Sequence, residues 1–337
     1  MTNIPTFDEV RAAAARIADH AVRTPLLVSK PLSERLSAQI YLKPECLQRT
    51  GSFKFRGAWN AVRALAADSR KGVVACSSGN HAQGVAEAAR LAEIPAVIVM
   101  PHDAPALKRE RTQRSGARVV GYDRLREDRE AIARRLAEDE GLRFIHPYDD
   151  PGVIAGQGTV GLEIAEDCAA LGMAPDVVVV PCSGGGLTAG VSLAVIERFP
   201  DASVYTAEPA GFDDYSRSLA AGARRRNADQ GGSVCDALLS PEPGAIGWEI
   251  NRSRLAGGLV AIDEEALYAV GFAFDEQRLV VEPGGAVGLA ALLAGRIDVS
   301  GRTAVIVLSG GNIDDAMLAR ALAVYRSSGA PESERLS

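Results

Sequence analysis

The sequence predicts an α/β fold in which parallel strands alternate with helices. Four short apolar runs lie close to glycine or proline and are separated by alanine-rich stretches; the runs are 73–76, 96–100, 177–180 and 304–308. Continuous apolar runs of this length are typical of strands that are buried on both faces. Their alternation with helical stretches predicts βαβ units, with right-handed crossovers and helices on both faces of each sheet.

The first predicted element is a helix that begins near Thr6. Thr6 and Glu9 have the spacing of a capping box, in which each residue satisfies a backbone N–H of the other. Apolar residues then recur at helical spacing, at Val10, Ala14, Ile17 and Ala21. At the opposite end of the chain, the residues after about Ser327 are expected to form a frayed tail.

Three glycine-bearing turns follow predicted strands. They are SSGNHAQG at 77–84, PCSGGGLTAG at 181–190 and SGGN at 309–312. Ligands of open α/β sheets bind outside the carboxyl ends of the strands, where such turns lie. The three turns therefore predict one shared crevice.

Length and composition restrict the class of protein. The chain has 337 residues, enough for one large α/β unit or two lobes, and its net charge of −6 disfavours nucleic acid and anionic lipid as partners. No apolar run approaches the ~18 residues of a membrane span. The five cysteines are scattered and contain no CxxC pair, which favours reduced thiols in the cytoplasm over a disulfide framework or a zinc site.

Lys54 stands between Phe53 and Phe55 in the stretch TGSFKFRG. An unpaired ammonium costs several kcal/mol to bury, so this lysine must reach solvent, pair with an anion or lose its proton. For most lysines, reaching solvent is the ordinary outcome. A desolvated lysine, in contrast, has a lowered pKa and becomes a nucleophile that forms a Schiff base with an aldehyde such as pyridoxal phosphate.

A cofactor of this kind also needs a cradle for its phosphate. The turn SGGGL at 183–187 lies between a predicted strand and a helix, where bare backbone N–H groups at a positive helix end can bind an anion. Glycine in a tight turn can also have a purely conformational reason. Neither a GxxxxGK[ST] loop nor an early GxGxxG with a following acidic residue occurs, which disfavours a nucleotide enzyme.

Six blocks carry a family resemblance when they are taken together in their order and spacing. They are KPECLQRTGSFKFRGA, SSGNHAQG, PCSGGGLTAG, AEPAGFDD, VVEPGGAVGLAAL and VLSGGN. The chain resembles the fold-type II pyridoxal-phosphate enzymes, above all the serine/threonine dehydratases, serine racemase and the hydroxyaspartate dehydratases, from about Pro5 to Leu322.

The resemblance implies a two-lobed fold like that of the tryptophan synthase β subunit, with parallel-rich twisted sheets flanked by helices and the smaller lobe inserted in the larger. The expected large, cofactor-binding domain comprises residues 1–62 and 149–325. Residues 63–148 are expected to form a small mobile domain, and residues 326–337 a C-terminal tail. Relatives of this kind are commonly homodimers.

The resemblance also assigns cofactor roles. Lys54 corresponds to the lysine that carries the cofactor and acts as a base on one face of its ring, with Phe53 beside it. Asn80 corresponds to the asparagine that hydrogen-bonds the phenolic oxygen. Ser309 faces the pyridine nitrogen, where a neutral hydroxyl favours β-elimination over transamination. The residues of the phosphate loop are Ser183, Gly184, Gly185, Gly186 and Leu187.

The first glycine turn is expected to bind the α-carboxylate of an amino acid substrate; the residues are Ser77, Ser78, Asn80 and His81. Ser78 matches a serine that lies on the ring face opposite the lysine in serine racemase and hydroxyaspartate dehydratases, so it is a second candidate base. A base on each face permits racemisation or elimination from the opposite Cα configuration. The alternative is that Ser78 only hydrogen-bonds its own loop.

A divalent cation is implied by the block AEPAGFDD. Glu208 and Asp214 coincide with carboxylates that hold a cation in serine racemase, and the carbonyl of Phe212 with a third ligand. Oxygen ligands suit Mg²⁺, Ca²⁺ or Mn²⁺. The alternative is a solvated acidic loop.

Arg129 corresponds to an arginine of serine racemase that can meet a second carboxylate on the substrate. Such a clamp would favour 3-hydroxyaspartate over threonine, whose methyl group offers no partner. A polar helix face is the alternative reading of this residue. The expected activity is β-elimination of water from a β-hydroxy-α-amino acid, giving a keto acid and ammonia.

Three other functions stay open at this point. Serine or threonine dehydration, with or without serine racemisation, differs from the expected activity only in the substrate. A catalytically silent relative would serve as a binding or assembly protein, and the intact Lys54, Asn80 and phosphate loop argue against it. A cysteine or cystathionine synthase would perform β-replacement and would not need the carboxylates of AEPAGFDD.

Overall fold

The computed structural model describes residues 4–65, 71–104, 106–124, 126–228 and 231–329. Within them the chain forms two sheets, one of six strands and one of four. The strands of the larger sheet are β1 (Leu27–Val28), β2 (Gln39–Pro44), β7 (Val177–Pro181), β8 (Ser203–Pro209), β9 (Leu255–Ala261) and β10 (Thr303–Leu308). Those of the smaller sheet are β3 (Val73–Cys76), β4 (Ala96–Pro101), β5 (Arg118–Tyr122) and β6 (Arg143–Phe144).

Both sheets are parallel except at one edge. The order of the larger sheet is β1-β2-β10-β7-β8-β9, and its one antiparallel pair is β1 with β2. The order of the smaller sheet is β5-β4-β3-β6, and all of its pairs are parallel. The four strands predicted from apolar runs are confirmed, and all of their residues are buried except Thr303 at the start of β10.

Thirteen helices within the described residues connect and cover these strands. They are α1 (Phe7–Ile17), α2 (Lys30–Leu36), α3 (Lys54–Arg63), α4 (Asn80–Leu91), α5 (Ala106–Arg114), α6 (Arg129–Glu140), α7 (Pro151–Ala170), α8 (Gly186–Arg198), α9 (Asp214–Ala221), α10 (Ala245–Asn251), α11 (Asp263–Gln277), α12 (Pro283–Leu293) and α13 (Asp315–Gly329). In the stretches that the structure describes, no helix is both long enough and apolar enough to cross a membrane.

The two chain ends differ in part from the sequence prediction. The capping box of α1 is confirmed, because the Thr6 N–H donates to Glu9 Oε2 at 2.7 Å and the Glu9 N–H to Thr6 Oγ1 at 3.4 Å. The helix ends at Ile17 rather than continuing to Ala21. The helix α13 continues to Gly329, so the first residues of the expected tail are helical. Residues 330–337 lie outside the described part of the chain.

The smaller sheet comes from residues 73–144, and the larger sheet comes from residues on both sides of that range. The division at residues 63 and 149, and the mobility of the inserted part, stay predictions.

Helix α7 contacts α3 and α8 at backbone distance because all three carry glycine at the crossings. A Cβ added to Gly156 would lie 2.6 Å from the Cα of Gly57 in α3, and one added to Gly190 in α8 would lie 2.7 Å from the Cα of Gly158. Lys54 is one turn before Gly57, and the triple-glycine turn is one turn before Gly190. One helix therefore positions both predicted parts of the cofactor site.

A largely buried ion network joins α3 to α7 and to residues in and directly after β2. The guanidinium of Arg56 donates to Glu45 at 2.7 and 2.8 Å and to Glu163 at 2.6 and 2.9 Å. Lys43 donates to Glu163 at 2.6 Å, and the side chains of Lys43, Glu45 and Arg56 are each 0% exposed. Because each buried charge has a partner, the network fixes the start of α3 without leaving an unpaired ion.

Candidate active site

All three glycine turns line one cavity of about 240 Å³ at the carboxyl ends of β3, β7 and β10. Lys54 and Arg129 line the same cavity. The turns after β7 and β10 lie at the carboxyl edge of the larger sheet, the turn after β3 lies at that of the smaller sheet, and all three meet in one crevice, as the sequence predicts. The cavity thus gathers an amine, a glycine-rich helix start and a guanidinium from distant parts of the chain.

Lys54 is the first residue of α3 and is half-buried in the cavity wall. Its Nζ donates to the carbonyl oxygen of Pro147 at 2.8 Å and lies 5.1 Å from the centre of the Phe53 ring. Desolvation lowers the pKa of this amine to about 8, and the carboxylate of Glu282 partly opposes the shift. A neutral, nucleophilic amine is therefore accessible near neutral pH.

The triple-glycine turn has little room for any side chain. Gly185 has φ of +85° and is the N-cap of α8, a conformation that suits glycine. A Cβ at Gly184 would overlap the ring of Tyr148, and one at Gly186 would lie 2.6 Å from the Tyr148 carbonyl oxygen. Beside the turn, the Ser183 hydroxyl donates to Ser240 Oγ at 2.6 Å.

Leu187, the last residue of the predicted phosphate loop, is buried in the first turn of α8 and lines the cavity. The first N–H groups of a helix have no intrahelical acceptor, so this turn presents bare donors at the positive end of a helix dipole. The structure therefore brings together, on the cavity wall, the five residues predicted to hold a phosphate.

Asn80 and Ser309 lie on the other sides of the cavity. Asn80 Nδ2 donates to Glu282 Oε1 at 2.5 Å, and Asn80 Oδ1 accepts from Asn312 Nδ2 at 2.7 Å. Ser309 is 5% exposed, and its carbonyl oxygen accepts the Phe53 N–H at 3.1 Å. Glu282 was not among the predicted site residues, although it stands in the quoted block VVEPGGAVGLAAL.

The first glycine turn leads into α4, whose N-cap is Gly79. Ser77 and Ser78 line the cavity, and Ser77 Oγ accepts the Gly79 N–H at 3.1 Å. His81 is buried, and its Nε2 lies 2.9 Å from the carbonyl oxygen of Ile145. Since a carbonyl only accepts, Nε2 carries the proton; desolvation and then the charge of Lys54 lower the pKa of His81 to about 3, so the ring is neutral.

Arg129 is the first residue of α6, and its side chain is half-buried on the cavity wall. Among the described residues, no hydrogen bond or ion pair reaches its guanidinium. The neighbouring Glu130 is engaged elsewhere, 3.3 Å from His146 Nε2. Arg124, which was not predicted, also lines the cavity but pairs with Asp103 at 2.9 Å. Arg129 is thus a cation available to an anionic ligand.

The predicted cation ligands lie at the end of β8 and the start of α9, outside the cavity lining. Glu208 and Asp214 are both 0% exposed, and Phe212 is 4% exposed. Glu208 accepts the N–H groups of Tyr215 and Ser216, each at 2.8 Å. Asp214 Oδ1 accepts from Asn227 Nδ2 at 2.7 Å, while Asp214 Oδ2 has no partner.

Burial raises the pKa of Glu208 well above its ordinary value and that of Asp214 to about 7. The described part of the chain contains no group of three or more His, Cys, Asp or Glu side chains placed to hold a metal ion. The predicted ligand set has only two such side chains, Glu208 and Asp214, and its third member is a backbone carbonyl. The absence of a larger group therefore does not test it, and the set stays a prediction.

The contacts of Pro147 and Tyr148 were missed at the sequence level. Both are separated from their partners by more than thirty residues of sequence, since Pro147 meets Lys54 and Tyr148 meets Gly184. The stretch HPYDD carries no cofactor motif of its own. Only the folded chain reveals that it separates the lysine from the glycine turn.

Comparison with known proteins places most of the chain in one group. Residues 17–310 match the family described as pyridoxal-phosphate dependent enzyme. The chain is 41% identical to L-threo-3-hydroxyaspartate ammonia-lyase of Saccharomyces cerevisiae, over 92% of this chain and 94% of that protein. It is also 41% identical to L-threonine ammonia-lyase of Thermotoga maritima, over 94% of this chain and 77% of that protein.

The solved structure of maize serine racemase has a TM-score of 0.88 with this chain and is 36% identical to it, over 97% of this chain and 99% of that one. The predicted α/β fold of the fold-type II class and the predicted family resemblance are confirmed. The chain belongs to the family of pyridoxal-phosphate dependent enzymes.

Proposed function

We propose that this protein is an ammonia-lyase that removes water from a β-hydroxy-α-amino acid, with 3-hydroxyaspartate as the preferred substrate. The observation that carries the proposal is the cavity itself, in which the low-pKa amine of Lys54, a glycine-rich helix start and the free guanidinium of Arg129 lie together. Relatives named for hydroxyaspartate and for threonine at 41% identity support the reaction class.

The residues of the cavity fit pyridoxal phosphate. Lys54 supplies an amine whose pKa of about 8 leaves much of it neutral near that pH, and the turn 183–187 supplies a cradle that a Cβ would fill. Asn80 and Ser309 supply polar side chains for the ring substituents, with Phe53 beside Lys54. When bound, the cofactor supplies an electron sink that acidifies the Cα–H bond of an attached amino acid.

In this proposal Lys54 Nζ removes the Cα proton. Its lowered pKa suits a general base near neutral pH, since catalytic groups act best when their pKa lies near the working pH. The Pro147 carbonyl oxygen, 2.8 Å from Nζ, holds the amine at the cavity wall when it is protonated. Ser78 would act from the other ring face.

The substrate α-carboxylate would bind at the start of α4. Ser77, Ser78, Asn80 and His81 line this part of the cavity. The N–H groups of a helix start and the dipole of α4 favour an anion there. His81 is neutral and uses Nε2 for Ile145, so it contributes its backbone and shape rather than a charge.

Arg129 would select the substrate. A guanidinium binds a carboxylate through two parallel hydrogen bonds, and 3-hydroxyaspartate offers a distal carboxylate that serine and threonine lack. Removing a hydrogen bond to a charged group costs about 1.5–3 kcal/mol, which corresponds to roughly 10- to 150-fold in kcat/KM.

The test is ammonia release from the stereoisomers of 3-hydroxyaspartate, serine and threonine. Wild-type kcat/KM is expected to be highest for one isomer of 3-hydroxyaspartate, and Arg129→Gln to lower it at least tenfold while serine turnover stays within about threefold. Arg134→Gln, on an exposed part of the same helix, is the matched control. If threonine is the better substrate and Arg129→Gln leaves hydroxyaspartate turnover intact, the preference is wrong.

Serine or threonine dehydration is the second candidate, with serine racemisation alongside it. The likeness to maize serine racemase and the place of Ser78 on the cavity wall favour keeping it. Formation of the opposite enantiomer of serine, with solvent deuterium at Cα and without loss of water, would distinguish racemisation from elimination.

We further propose a divalent cation at Glu208, Asp214 and the carbonyl of Phe212, with Mg²⁺, Mn²⁺ or Ca²⁺ as the ion. Two buried carboxylates with raised pKa values and the unpartnered Asp214 Oδ2 support it, because a cation would offset the cost of their burial. A chelator is expected to lower Tm, and Mg²⁺ to restore it in the wild type but not in Asp214→Asn. An unchanged Tm would remove the three residues from the site.

The assembly and the compartment belong to the proposal as well. We infer a homodimer. We also infer that the compartment is the cytoplasm, which the five free thiols support. Sedimentation at micromolar concentration tests the dimer.

A further inference from the structure

The phosphate loop is held from beneath by a buried asparagine. Asn251 is 0% exposed, and its Nδ2 donates to the carbonyl oxygen of Gly185 at 3.2 Å. That carbonyl also accepts the N–H of Ala189 at 2.9 Å, the first helical bond of α8. Since a carbonyl only accepts, the amide nitrogen of Asn251 must face Gly185, and its orientation is fixed.

The same amide nitrogen reaches a buried tyrosine. Asn251 Nδ2 donates to Tyr215 Oη at 3.2 Å, and Asn251 Oδ1 accepts from Ser192 Oγ at 3.4 Å. Tyr215 is 0% exposed, so its hydroxyl is shielded from solvent. All three side chains of the cluster are therefore buried and joined to one another by hydrogen bonds.

Tyr215 also touches the loop directly. A Cβ added to Gly185, whose φ is +85°, would overlap the Tyr215 hydroxyl. The backbone of Gly185 therefore packs directly against that oxygen. The Tyr215 N–H donates to Glu208 Oε1 at 2.8 Å. One residue thus connects the carboxylate region to the underside of the glycine turn.

Stability alone gives no reason for this polar pair. Replacing both partners of a buried hydrogen bond by apolar groups of similar shape is close to neutral for folding. A directional bond to the Gly185 carbonyl, in contrast, fixes the peptide plane that precedes the first free N–H groups of α8.

We propose that Asn251 and Tyr215 are positioning residues for the cofactor phosphate: they fix Gly185 so that the N–H groups at the start of α8 keep the geometry that binds it. The inference rests on the cofactor site of the proposed function. It predicts an effect on the part of the cofactor that bears the phosphate, and none on the part that Lys54 holds.

The experiment compares pyridoxal phosphate with pyridoxal, which lacks the phosphate. Both dissociation constants are measured by absorbance titration of the full chain freed of cofactor, for the wild type, Asn251→Leu and Tyr215→Phe. We expect Asn251→Leu to raise the dissociation constant of pyridoxal phosphate about tenfold and that of pyridoxal less than about twofold. Tyr215→Phe should change the two dissociation constants in the same direction. In the double variant the dissociation constant of pyridoxal phosphate should rise by less than the product of the two single fold-changes, because the two side chains share a hydrogen bond.

Ser192→Ala is the matched control. It removes the bond to the far side of the Asn251 amide and a bond to the Ala189 carbonyl oxygen within α8, neither of which reaches Gly185, so both constants should stay within about twofold. Equal weakening of both ligands in Tyr215→Phe, or no weakening of either, overturns the inference. Tyr215→Phe decides the matter if Asn251→Leu does not fold. A wild type that binds pyridoxal phosphate but releases no ammonia would contradict the proposed function. The comparison of the pyridoxal phosphate and pyridoxal dissociation constants would still test the inference about Asn251 and Tyr215.

Discussion

The lowered pKa of Lys54 predicts how fast its amine reacts at each pH. With a pKa of about 8 in place of 10.5, roughly a tenth of the amine is neutral at pH 7, compared with about three parts in ten thousand for an ordinary lysine. The reactive fraction is therefore roughly 300-fold larger. Because only the neutral amine attacks a carbonyl, the rate should rise up to about pH 8 and level off above it.

The assay is reductive methylation of the cofactor-free chain with formaldehyde, resolved by mass spectrometry of the peptide that contains position 54. Lys30 is exposed and serves as an internal standard in the same chain. The Lys54 rate should reach half of its maximum near pH 8.

A second variant tests the cause of the shift. Desolvation lowers the pKa, and the carboxylate of Glu282 raises it, so Glu282→Gln should move the Lys54 midpoint to lower pH. A Lys54 midpoint at or above pH 10, or an upward move in Glu282→Gln, would refute the reasoning.

Two further predictions concern stability and the loop. Glu45→Gln leaves the buried cations of Arg56 and Lys43 with one carboxylate, Glu163, between them, and should lower the free energy of unfolding by about 3–5 kcal/mol in urea. Glu140→Gln, in an exposed pair with Arg118, should change the free energy of unfolding by about 1 kcal/mol or less; similar losses in the two variants would contradict the account. Gly184→Ala should weaken the binding of pyridoxal phosphate at least about tenfold, because the added methyl group overlaps the ring of Tyr148. Gly231→Ala is the control, because a Cβ there meets nothing within 4 Å, and it should leave the affinity unchanged. Equal affinity in the two variants would show that the tyrosine ring moves aside.

The sequence predicted the strands that are buried almost throughout and missed those with partly exposed positions. The strands β7 and β10 are buried almost throughout, so they read as unbroken apolar runs. The strands β2 and β9 mix exposed and buried positions, and β9 carries two glycines, so no run marks them. Strand prediction succeeded where burial removes the ambiguity of the pattern.

The site divides in the same way. Lys54 and the triple glycine stand in local motifs, because the chemistry needs those residue types at adjacent positions. Glu282 and Tyr148 act through contacts with residues 202 and 36 positions away, Asn80 and Gly184, and no local pattern marks them. Their roles depend on which helices pack together, which is a property of the whole fold.

The glycine contacts of α7 separate what can vary in this protein from what cannot. Since this helix contacts α3 and α8 at backbone distance, it fixes the distance between the Lys54 amine and the triple-glycine turn. Arg129 and the serines of the first glycine turn lie in segments that connect strands of the smaller sheet, and the glycine contacts of α7 do not include them. A lineage could exchange the residues that read the substrate while the distance along the cofactor stays constant.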